Sequence, residues 1–400
     1  MPIAPMLREG VAGPGPSGTR FASPAAVSRS RAHVCFVAPY AWPVLSRDPD
    51  IQVVGGAEVQ QCILARLLVR AGYRVSMITF DYGQQSPVEV DGVTVHKAFR
   101  PEAGLPVVRF LHPRLTTMWR VMREVDADVY YQRSSAVWTG VMQEFCRRHG
   151  KRSIYAGASD RDFVRGKEQI KLARDRWIYR RGVQRVDRVV AQNAFQVKTC
   201  REYAGREAVF IPSCYELPQS SKSKDADRVL WVGTVHDYKR PEILLDIAQR
   251  LPQRKFVMIG GPSAGGERFR PGYFEGIRER AKRLANVEFT GFLPLAQVEP
   301  WFDRARALVL TSVYEGMPNV FLQAWARGVP VVSTVDVGVA APANTVIADA
   351  AQAAVEVERL FSEPARWARA SDAARSYFQS THSPEHVLAL YGALIEELVA

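Results

Sequence analysis

The most constraining feature of the sequence is a strand, loop and helix unit in its C-terminal third. The apolar run Ala307–Thr311 has the length and composition of a buried parallel strand. Pro318 suits the first turn of a helix, where its missing N–H group costs nothing. Gly328 and Pro330 end that helix before a strand that runs to Ser333. The pattern predicts a βαβ unit with its loop at the carboxyl end of a parallel sheet, where open α/β sheets bind ligands.

The loop of this unit carries groups that suit a sugar phosphate. Glu315 lies in the loop and is followed by Gly316. The helix that begins near Asn319 and Val320 offers free N–H groups and the positive end of its dipole to an anion. A carboxylate beside an anion site can accept hydrogen bonds from sugar hydroxyl groups. The alternative interpretation is an ordinary polar turn punctuated by Gly and Pro.

A similar unit stands near the N-terminus. His33–Pro39 is predicted as a buried strand, and Gly55 and Gly56 open a helix that leads to the strand Tyr73–Phe80. Glycines at a helix start let the backbone approach a ligand closely, although such turns are also common without one. Glu58, in the first turn, is interpreted as an ordinary helix-start acid.

Strands and helices continue to alternate, which predicts an α/β fold with doubly wound parallel sheets. The polar stretch at 214–227 contains Pro and several Ser residues and is the clearest break in composition, so we interpret it as a linker. We predict a disordered tail at 1–30, an N-terminal domain at 31–213, a C-terminal domain at 228–382 and a final helical segment at 383–400.

Composition narrows the class of protein. The 400 residues are 47% hydrophobic and 24% charged, which is ordinary for a soluble chain with two domains. The five cysteines have no paired spacing, so neither a disulfide framework nor a zinc site is predicted. No window reaches the roughly 18 uninterrupted apolar residues of a spanning helix, and the N-terminus lacks the apolar core of a signal peptide. We therefore expect a cytoplasmic protein.

The net charge of +12 is unevenly distributed. Residues 161–188 contain ten Lys or Arg and four Asp or Glu, which is a net charge of ten minus four, or +6. Such a helix could lie at the periphery of an anionic membrane, and the alternative is a solvated face that aids solubility. We expect no nucleic-acid partner, because the sequence has no recognised nucleic-acid module and its aromatic residues are not interleaved with the charges.

Other strand ends supply further candidate residues. Lys239 and Arg240 stand in the loop after the strand that ends at Gly233, where cations can neutralise a diphosphate, although a solvated pair at a helix start is the alternative. Asp160 and Arg133 follow strands of the first domain and are candidates for acceptor contacts. A plain loop role is the alternative for each of them.

The segment from Val229 to Ser333 resembles the C-terminal half of the retaining glycosyltransferases with the GT-B fold, family 4, also called group 1. A looser resemblance covers the rest of the chain beyond the tail. It implies two Rossmann-like domains that face each other across a cleft, with the segment 383–400 as a helix that crosses back to the first domain.

The resemblance also implies roles for individual residues. Glu315 matches the first Glu of the family's Glu, seven residues, Glu signature and would contact the donor sugar. Gln323 holds the second position and would meet the nucleotide ribose through its amide oxygen. Lys239, with Arg240 beside it, would bind the diphosphate. The remaining matches imply donor contacts near Gly233, Gly291, Phe292, Gly316, Asn319 and Val320, and a glycine loop at Gly55 and Gly56 that faces the donor phosphate and the acceptor.

Three positions depart from the family pattern. Thr234 stands where an Arg is usual, Gly157 stands where many members carry a His near the reacting carbon, and Gln323 brings no charge. The loop after Ser333 is also shorter than in the family.

The implied reaction moves a sugar from a nucleoside diphosphate sugar, UDP- or GDP-linked, to a hydroxyl group of a glycan or lipid-linked acceptor, with retention. No cofactor or metal is expected, because Lys239 and Arg240 would neutralise the leaving group and no Asp-x-Asp stands at a convincing strand end. A catalytically degenerate nucleotide-sugar-binding partner remains an alternative. A sugar-nucleotide 2-epimerase is another, but it needs carboxylates at C2 and C3 of the sugar, which the sequence does not place.

Overall fold

The first of two sheets is built from the N-terminal half of the chain. The computed structural model describes residues 31–47, 55–105, 110–216, 226–262 and 270–400, so the predicted tail and residues 217–225 of the predicted linker lie outside the described residues. The sheet has the strand order β3-β4-β2-β1-β5-β6-β7-β8. Its strands are β1 (His33–Val37), β2 (Arg74–Thr79), β3 (Val88–Val90), β4 (Val93–Lys97), β5 (Val129–Arg133), β6 (Arg152–Ala156), β7 (Arg188–Ala191) and β8 (Val209–Phe210).

The second sheet has six parallel strands in the order β11-β10-β9-β12-β13-β14. They are β9 (Arg228–Val232), β10 (Lys255–Ile259), β11 (Val287–Gly291), β12 (Ala305–Leu310), β13 (Val331–Ser333) and β14 (Asn344–Val346). In the first sheet, only β3 pairs in an antiparallel sense, at the edge beside β4. The α/β fold with two parallel sheets is therefore confirmed. The short strands β3, β8 and β14 were not predicted, because two or three residues carry no readable period.

Helices fill the intervals between the strands. In the first half they are α1 (Trp42–Ser46), α2 (Gly56–Arg70), α3 (Thr116–Val125), α4 (Val137–His149), α5 (Ala173–Arg185) and α6 (Ala194–Ala204). In the second half they are α7 (Pro241–Arg250), α8 (Tyr273–Lys282), α9 (Leu295–Asp303), α10 (Asn319–Ala326), α11 (Ala350–Ser362), α12 (Pro364–Tyr377) and α13 (Pro384–Val399). No helix in the described ranges is long and apolar enough to cross a lipid bilayer.

Both faces of each sheet are covered, as expected for parallel strands. Along β1, Val34 and Phe36 enter one apolar core while Cys35 and Val37 enter another on the opposite face. The core that holds Phe36 continues into the second half of the chain and includes Trp325. The two sheets therefore share one apolar core.

The last helix, α13, packs against the first sheet. The Tyr391 hydroxyl lies 3.3 Å from the Tyr131 hydroxyl on β5, and Tyr73 donates a hydrogen bond to Glu396. Arg152 donates to the carbonyl oxygen of Leu398 at 2.9 Å. The chain thus returns to the first half after completing the second.

Helices α4 and α5 cross at a pair of glycines. An added Cβ atom at Gly140 would overlap the carbonyl oxygen of Ile178, and one at Gly182 would lie 2.6 Å from the Cα atom of Gly140. The backbones therefore approach more closely than any side chain would allow.

We expect Gly140→Ala to lower the free energy of unfolding by about 1–3 kcal/mol, because overpacking must push α5 outward. The matched control is Gly276→Ala in the exposed helix α8, where an added Cβ meets nothing within 4 Å. That change should stabilise the protein by about 0.5–1 kcal/mol. Urea denaturation of both variants tests the contact, and equal shifts in the two would contradict it.

His382 lies in the segment through which the chain returns to the first half, and it contacts the segment near Ser213 through which the chain leaves that half. Its Nδ1 donates to the carbonyl oxygen of Ser213 at 2.6 Å, and its ring stacks on Trp325 at a centroid distance of 5.9 Å. Burial lowers the pKa of His382 to about 4. The folded state therefore holds this imidazole neutral at neutral pH.

This burial makes stability depend on pH in a defined direction. Between about pH 6.5 and pH 4, His382 is protonated in the unfolded chain and neutral in the folded protein. The free energy of unfolding therefore falls as the pH drops through that range. The full loss is on the order of 3 kcal/mol. We expect His382→Gln to flatten this part of the curve of unfolding free energy against pH. Burial also lowers the pKa of His33 to about 4, so the contribution of His33 to the pH dependence of stability should remain in the variant.

Candidate active site

A cavity of about 580 Å³ opens between the carboxyl ends of the second sheet and the start of α2. Seven of the predicted site residues line it, and they are Gly55, Gly56, Gly233, Phe292, Asn319, Val320 and Gln323. Tyr215, Gly260 and Gly261 also line it, and their role was not predicted from the sequence. The seven predicted residues, from both halves of the chain, are therefore brought to one place, whereas Lys239, Arg240, Glu315 and Gly316 are not among the residues that line the cavity.

Glycines allow bare backbone to form part of the lining of this cavity. An added Cβ at Gly260 would overlap the carbonyl oxygen of Gly233, and one at Gly261 would lie 2.8 Å from the Cβ atom of Phe292. Strand ends β9, β10 and β11 therefore converge with bare backbone at the cavity. Gly291, a predicted donor contact, is a left-handed residue with φ of 73° at the end of β11 and is not among the residues that line the cavity.

The central charged contact is an ion pair between the Lys239 Nζ and the Glu315 Oε1. The exposed fractions of the two side chains are only 17% and 14%. Burial alone would lower the pKa of Lys239, but the Glu315 carboxylate, together with neighbouring tyrosines, raises it above its ordinary value. Lys239 therefore remains a cation at neutral pH.

Two stacked tyrosines form one wall beside this ion pair. The rings of Tyr238 and Tyr314 lie 5.0 Å apart and 9° from parallel. Lys239 Nζ lies 5.3 Å from the Tyr238 ring centre. From the first half of the chain, Arg161 donates a hydrogen bond of 2.9 Å to the Tyr314 hydroxyl. The wall thus contacts both halves.

Arg240 is turned away from the pair. Its Nε donates to the carbonyl oxygen of Thr311 at 2.8 Å and its Nη2 to that of Ser312 at 3.3 Å. The guanidinium therefore fastens the loop after β12 to the start of α7. Its predicted contact with a diphosphate stays a prediction.

Asn319 links the halves at the start of α10. Its Nδ2 donates to the carbonyl oxygen of Gly56 at 3.1 Å, and its Oδ1 accepts from Gln60 at 3.0 Å. Pro318 immediately precedes the helix, and the first two helical residues, Asn319 and Val320, line the cavity with backbone N–H groups that have no intrahelical partner. An anion in the cavity would meet these N–H groups and the helix dipole.

Gly316 lies against the first half of the chain. An added Cβ there would lie 2.5 Å from the Gln192 Nε2 and 2.6 Å from the carbonyl oxygen of Ala158. Only glycine permits the loop that carries Glu315 to approach this closely.

Gln323 is buried, and its amide nitrogen is hydrogen-bonded within the protein. Its Nε2 donates to the Tyr215 hydroxyl at 2.9 Å and to Glu299 at 3.2 Å, which leaves its amide oxygen to accept a hydrogen bond. Glu299 also pairs with Arg327. A carboxylate thus stands behind Gln323 on α9, a neighbour that sequence spacing gave no means of finding.

The first half places one carboxylate near Glu315. Asp160 accepts hydrogen bonds from Asn193 at 2.8 Å and Gln196 at 3.0 Å. Burial raises the pKa of Asp160, the two amides oppose this shift, and the Glu315 carboxylate adds to it. The Gln196 Nε2 that donates to Asp160 also lies 3.3 Å from the position of a Cβ added at Gly316, so Asp160 stands close to the loop that carries Glu315.

Gly157, where the family often has a His, has no room for one. An added Cβ would lie 2.5 Å from the Phe163 ring and 2.9 Å from the Gln196 Oε1. The packing of Phe163 thus explains why a His is absent from this position.

Arg133, the other predicted acceptor residue, is buried beneath the cleft. Its Nη2 donates to Gln192 at 2.9 Å and to Ser213 at 3.0 Å, and its Nε has no partner among the described residues. No carboxylate in the described ranges lies within ion-pair distance of it. Arg133 therefore supports Gln192, which contacts the Gly316 loop, and its predicted contact with an acceptor stays a prediction.

Glu58 occupies the mouth of the glycine loop. Its carboxylate folds back over Gly55, where an added Cβ would overlap it. Burial raises the pKa of Glu58, although its own backbone N–H and Arg133 oppose the shift. The absence of a side chain at Gly55 therefore leaves space for the Glu58 carboxylate.

A larger cavity of about 770 Å³ lies beside α6 and is lined by Asn193, Lys198, Met317, Tyr377 and His382, among others. Its lining residues, all within the described ranges, include none of the predicted site residues and none of the glycine strand ends. We therefore place the ligand in the smaller cavity.

Two family models match the two halves of the chain. "Glycosyltransferase Family 4" matches residues 54–216 and "Glycosyl transferases group 1" matches residues 226–363. The chain belongs to the group 1, family 4 glycosyltransferases. The first match contains the glycine loop at Gly55, and the second contains Lys239 and Glu315.

Curated relatives of this glycosyltransferase match it over part of their length. D-inositol 3-phosphate glycosyltransferase of Mycolicibacterium vanbaalenii is 26% identical over 48% of this chain and 46% of that protein. Vi polysaccharide biosynthesis protein VipC/TviE of Salmonella typhi is 31% identical over 29% of this chain and 19% of that protein. The matches to these relatives thus span less than half of their length.

Solved structures share the fold of this glycosyltransferase. Sucrose-phosphate synthase of Thermosynechococcus elongatus superposes with a TM-score of 0.74 at 18% identity, over 92% of this chain and 99% of that one. HepE of Anabaena, in complex with UDP and glucose, gives a TM-score of 0.71 at 15% identity, over 92% and 100%. Both therefore support the two-sheet GT-B architecture.

We expect Gly316→Ala to reduce sugar transfer or donor hydrolysis by this glycosyltransferase by about 10- to 100-fold, because a 1 Å displacement of positioned groups costs that much. The added methyl group must push Glu315 away from Ala158 and Gln192. Because Gly316 and Gln192 are buried, the variant should also lose about 1–3 kcal/mol of unfolding free energy, so turnover is compared at a temperature at which both proteins are folded. Gly276→Ala, the same change in α8, should leave turnover unaltered. Wild-type rates in Gly316→Ala would show that the loop contact is dispensable.

Proposed function

We propose that this glycosyltransferase transfers a sugar, with retention, from a UDP- or GDP-linked donor to a hydroxyl group of a glycan or lipid-linked acceptor. Its role would lie in glycan, polysaccharide or glycolipid biosynthesis. The observation that carries the proposal is a cavity with glycine strand ends, whose lining includes Thr234 and Asn319. The buried pair of Lys239 and Glu315 stands in the same two loops, five residues after Thr234 and four residues before Asn319. The UDP and glucose of the HepE complex support a nucleoside diphosphate sugar as the donor.

The donor would occupy the cavity in one direction. The nucleotide would lie over Gly260 and Gly261 beside Phe292, with its ribose near Gln323. The diphosphate would meet the first N–H groups of α10 and the sugar would extend towards Glu315. This order follows the cavity from Phe292 to Asn319 and then the loop that carries Glu315.

Lys239 would stabilise the leaving group. As the bond between the anomeric carbon and the phosphate oxygen breaks, negative charge develops on the diphosphate, and a desolvated cation at that point lowers the barrier. Lys239 is already protonated because Glu315 raises its pKa. The proposal includes metal-independent turnover, with Lys239 supplying the positive charge.

Glu315 would have a separate task. Once Lys239 turns to the diphosphate, the carboxylate is free to accept hydrogen bonds from sugar hydroxyl groups and to hold the ring in place. Asp160 and Arg133 would lie on the acceptor side, and the basic segment 161–188 would contact an anionic membrane.

A second candidate function is a nucleotide-sugar-binding partner without turnover. It is favoured by Gly157, because Phe163 fills the space that a family His would use. Both functions predict donor binding, so only turnover separates them.

The deciding experiment measures nucleotide release from UDP-, GDP- and ADP-sugars by the purified protein, with and without EDTA. We expect slow hydrolysis of one donor, unaffected by EDTA, and a loss of about 10²- to 10³-fold in both Lys239→Met and Glu315→Gln. The anomeric configuration of the product, determined by NMR, tests retention.

The matched controls are Lys282→Met and Glu279→Gln, which break an exposed ion pair of 2.7 Å on α8. These should keep wild-type turnover. Donor binding by calorimetry without any nucleotide release, even when the acceptor panel is varied, would favour the binding partner. Full turnover in Glu315→Gln would contradict the proposed site.

A further inference from the structure

The basic segment 161–188 is more one-sided than its composition indicates. Six of its Lys and Arg residues are exposed, whereas none of its four acids is. The exposed cations are Arg165, Lys167, Lys171, Arg174, Arg181 and Arg185. The surface they form is therefore predominantly positive.

The acids are engaged within the protein. Glu168 pairs with Arg180 and accepts from the Tyr203 hydroxyl, and Asp162 accepts from the backbone N–H groups of residues 158 and 159. Asp187 binds Ser153, and Asp175 pairs with Arg174. The negative charges thus hold the segment to the fold and leave most exposed cations without a carboxylate. Among the described residues, five of the six exposed cations have no ion pair, with Arg174 the exception.

Two large apolar side chains are exposed on and immediately before α5. Trp177 is 63% exposed and Leu172 is 57% exposed, although α5 has a buried side that contains Tyr179 and Val183. The exposed face of α5 follows residues 174, 177, 181 and 185, which recur at helical spacing. Trp177 is therefore flanked by arginines along one stripe.

A neighbouring segment extends this face. The Arg174 guanidinium lies 3.7 Å from the Phe110 ring centre, which places the turn at 110–115 against the start of α5. Leu111, the next residue, is 60% exposed. Arg181 in turn lies over the Trp177 ring at 5.6 Å. We call the set Leu111, Lys171, Leu172, Arg174, Trp177, Arg181 and Arg185 the α5 face.

We infer that the α5 face is a membrane-binding surface that inserts Trp177, Leu172 and Leu111 among anionic headgroups. The chemistry favours a bilayer over a soluble polyanion, because solvated leucines add nothing to binding nucleic acid or a polysaccharide. Trp and Arg side chains suit the headgroup level, where rings are half-immersed and guanidinium groups meet phosphates. Unpaired cations add attraction to an anionic leaflet.

The α5 face also indicates which class of acceptor the enzyme uses, and this step of the inference rests on the proposed function. Segment 161–188 begins at the cleft, where Arg161 contacts Tyr314 next to Glu315. An enzyme held by the α5 face would meet its acceptor at the membrane, which selects a lipid-linked acceptor over a free glycan.

The test is co-sedimentation of the full chain with vesicles of phosphatidylcholine, alone or with 30% phosphatidylglycerol, where the mixture is about one anionic lipid in three. We expect binding only to the anionic vesicles. Arg181→Gln with Arg185→Gln should weaken it about 25-fold, at roughly fivefold for each charge. Trp177→Ala should weaken it about tenfold.

Matched controls sit on the second half of the chain. Arg283→Gln with Arg369→Gln removes two exposed charges, and Val355→Ala trims an apolar side chain that is 53% exposed. Both should bind like the wild type. Brominated lipids should quench the tryptophan fluorescence of the wild type more than that of Trp177→Phe, which keeps the ring apolar.

Each outcome decides one point. Absence of binding to anionic vesicles, or equal losses in the controls, would overturn the inference. Binding that depends on the two arginines but not on Trp177 would also overturn it, in favour of a soluble polyanion. Donor hydrolysis of the α5-face variants should equal that of the wild type. If no donor is turned over while vesicle binding behaves as expected, the proposed function fails and the membrane surface stands.

Discussion

The whole arrangement depends on one apolar core that is shared by the two sheets. It runs from Phe36 on β1 through Tyr391 on the last helix to Trp325 on α10. Because interiors pack densely and resist displacement, a shared core holds the carboxyl ends of both sheets opposite each other. The close approach of Gly316 to Ala158 and the bonds of Asn319 to the glycine loop are consequences of that placement.

Within the cleft, electrostatics points to function more than to stability. A buried ion pair gains little net stability, because desolvating both charges offsets their attraction. Lys239 and Glu315 nevertheless stay largely shielded, beside stacked tyrosines and a helix start. Charges in such a place act strongly on whatever enters it, since the surroundings screen them poorly. The outer charges of the α5 face work differently, because water screens them until a surface of opposite sign displaces it.

Much of the fold could be predicted from local patterns. Apolar runs such as Ala307–Thr311 and the Gly and Pro residues that follow them identified most strands and the order of the halves. Lys239 and Glu315 were each predicted from their own loop. Arg240 was predicted as a second phosphate cation from the same position, and that contact stays a prediction, while its guanidinium donates to the carbonyl groups of Thr311 and Ser312. Sequence spacing could not tell these two cations apart, because the difference lies in which direction a side chain leaves the turn.

The sequence by itself determined the alternation of strands and helices, the family and the loops where charged residues stand, since these depend on neighbours along the chain. The tertiary structure decided which of those residues meet. Three contacts are examples: Glu299 stands behind Gln323, Phe163 fills the space beside Gly157, and the buried Glu168 pairs with Arg180. Their contacts exist only after two sheets pack around one core, and no local pattern records that packing.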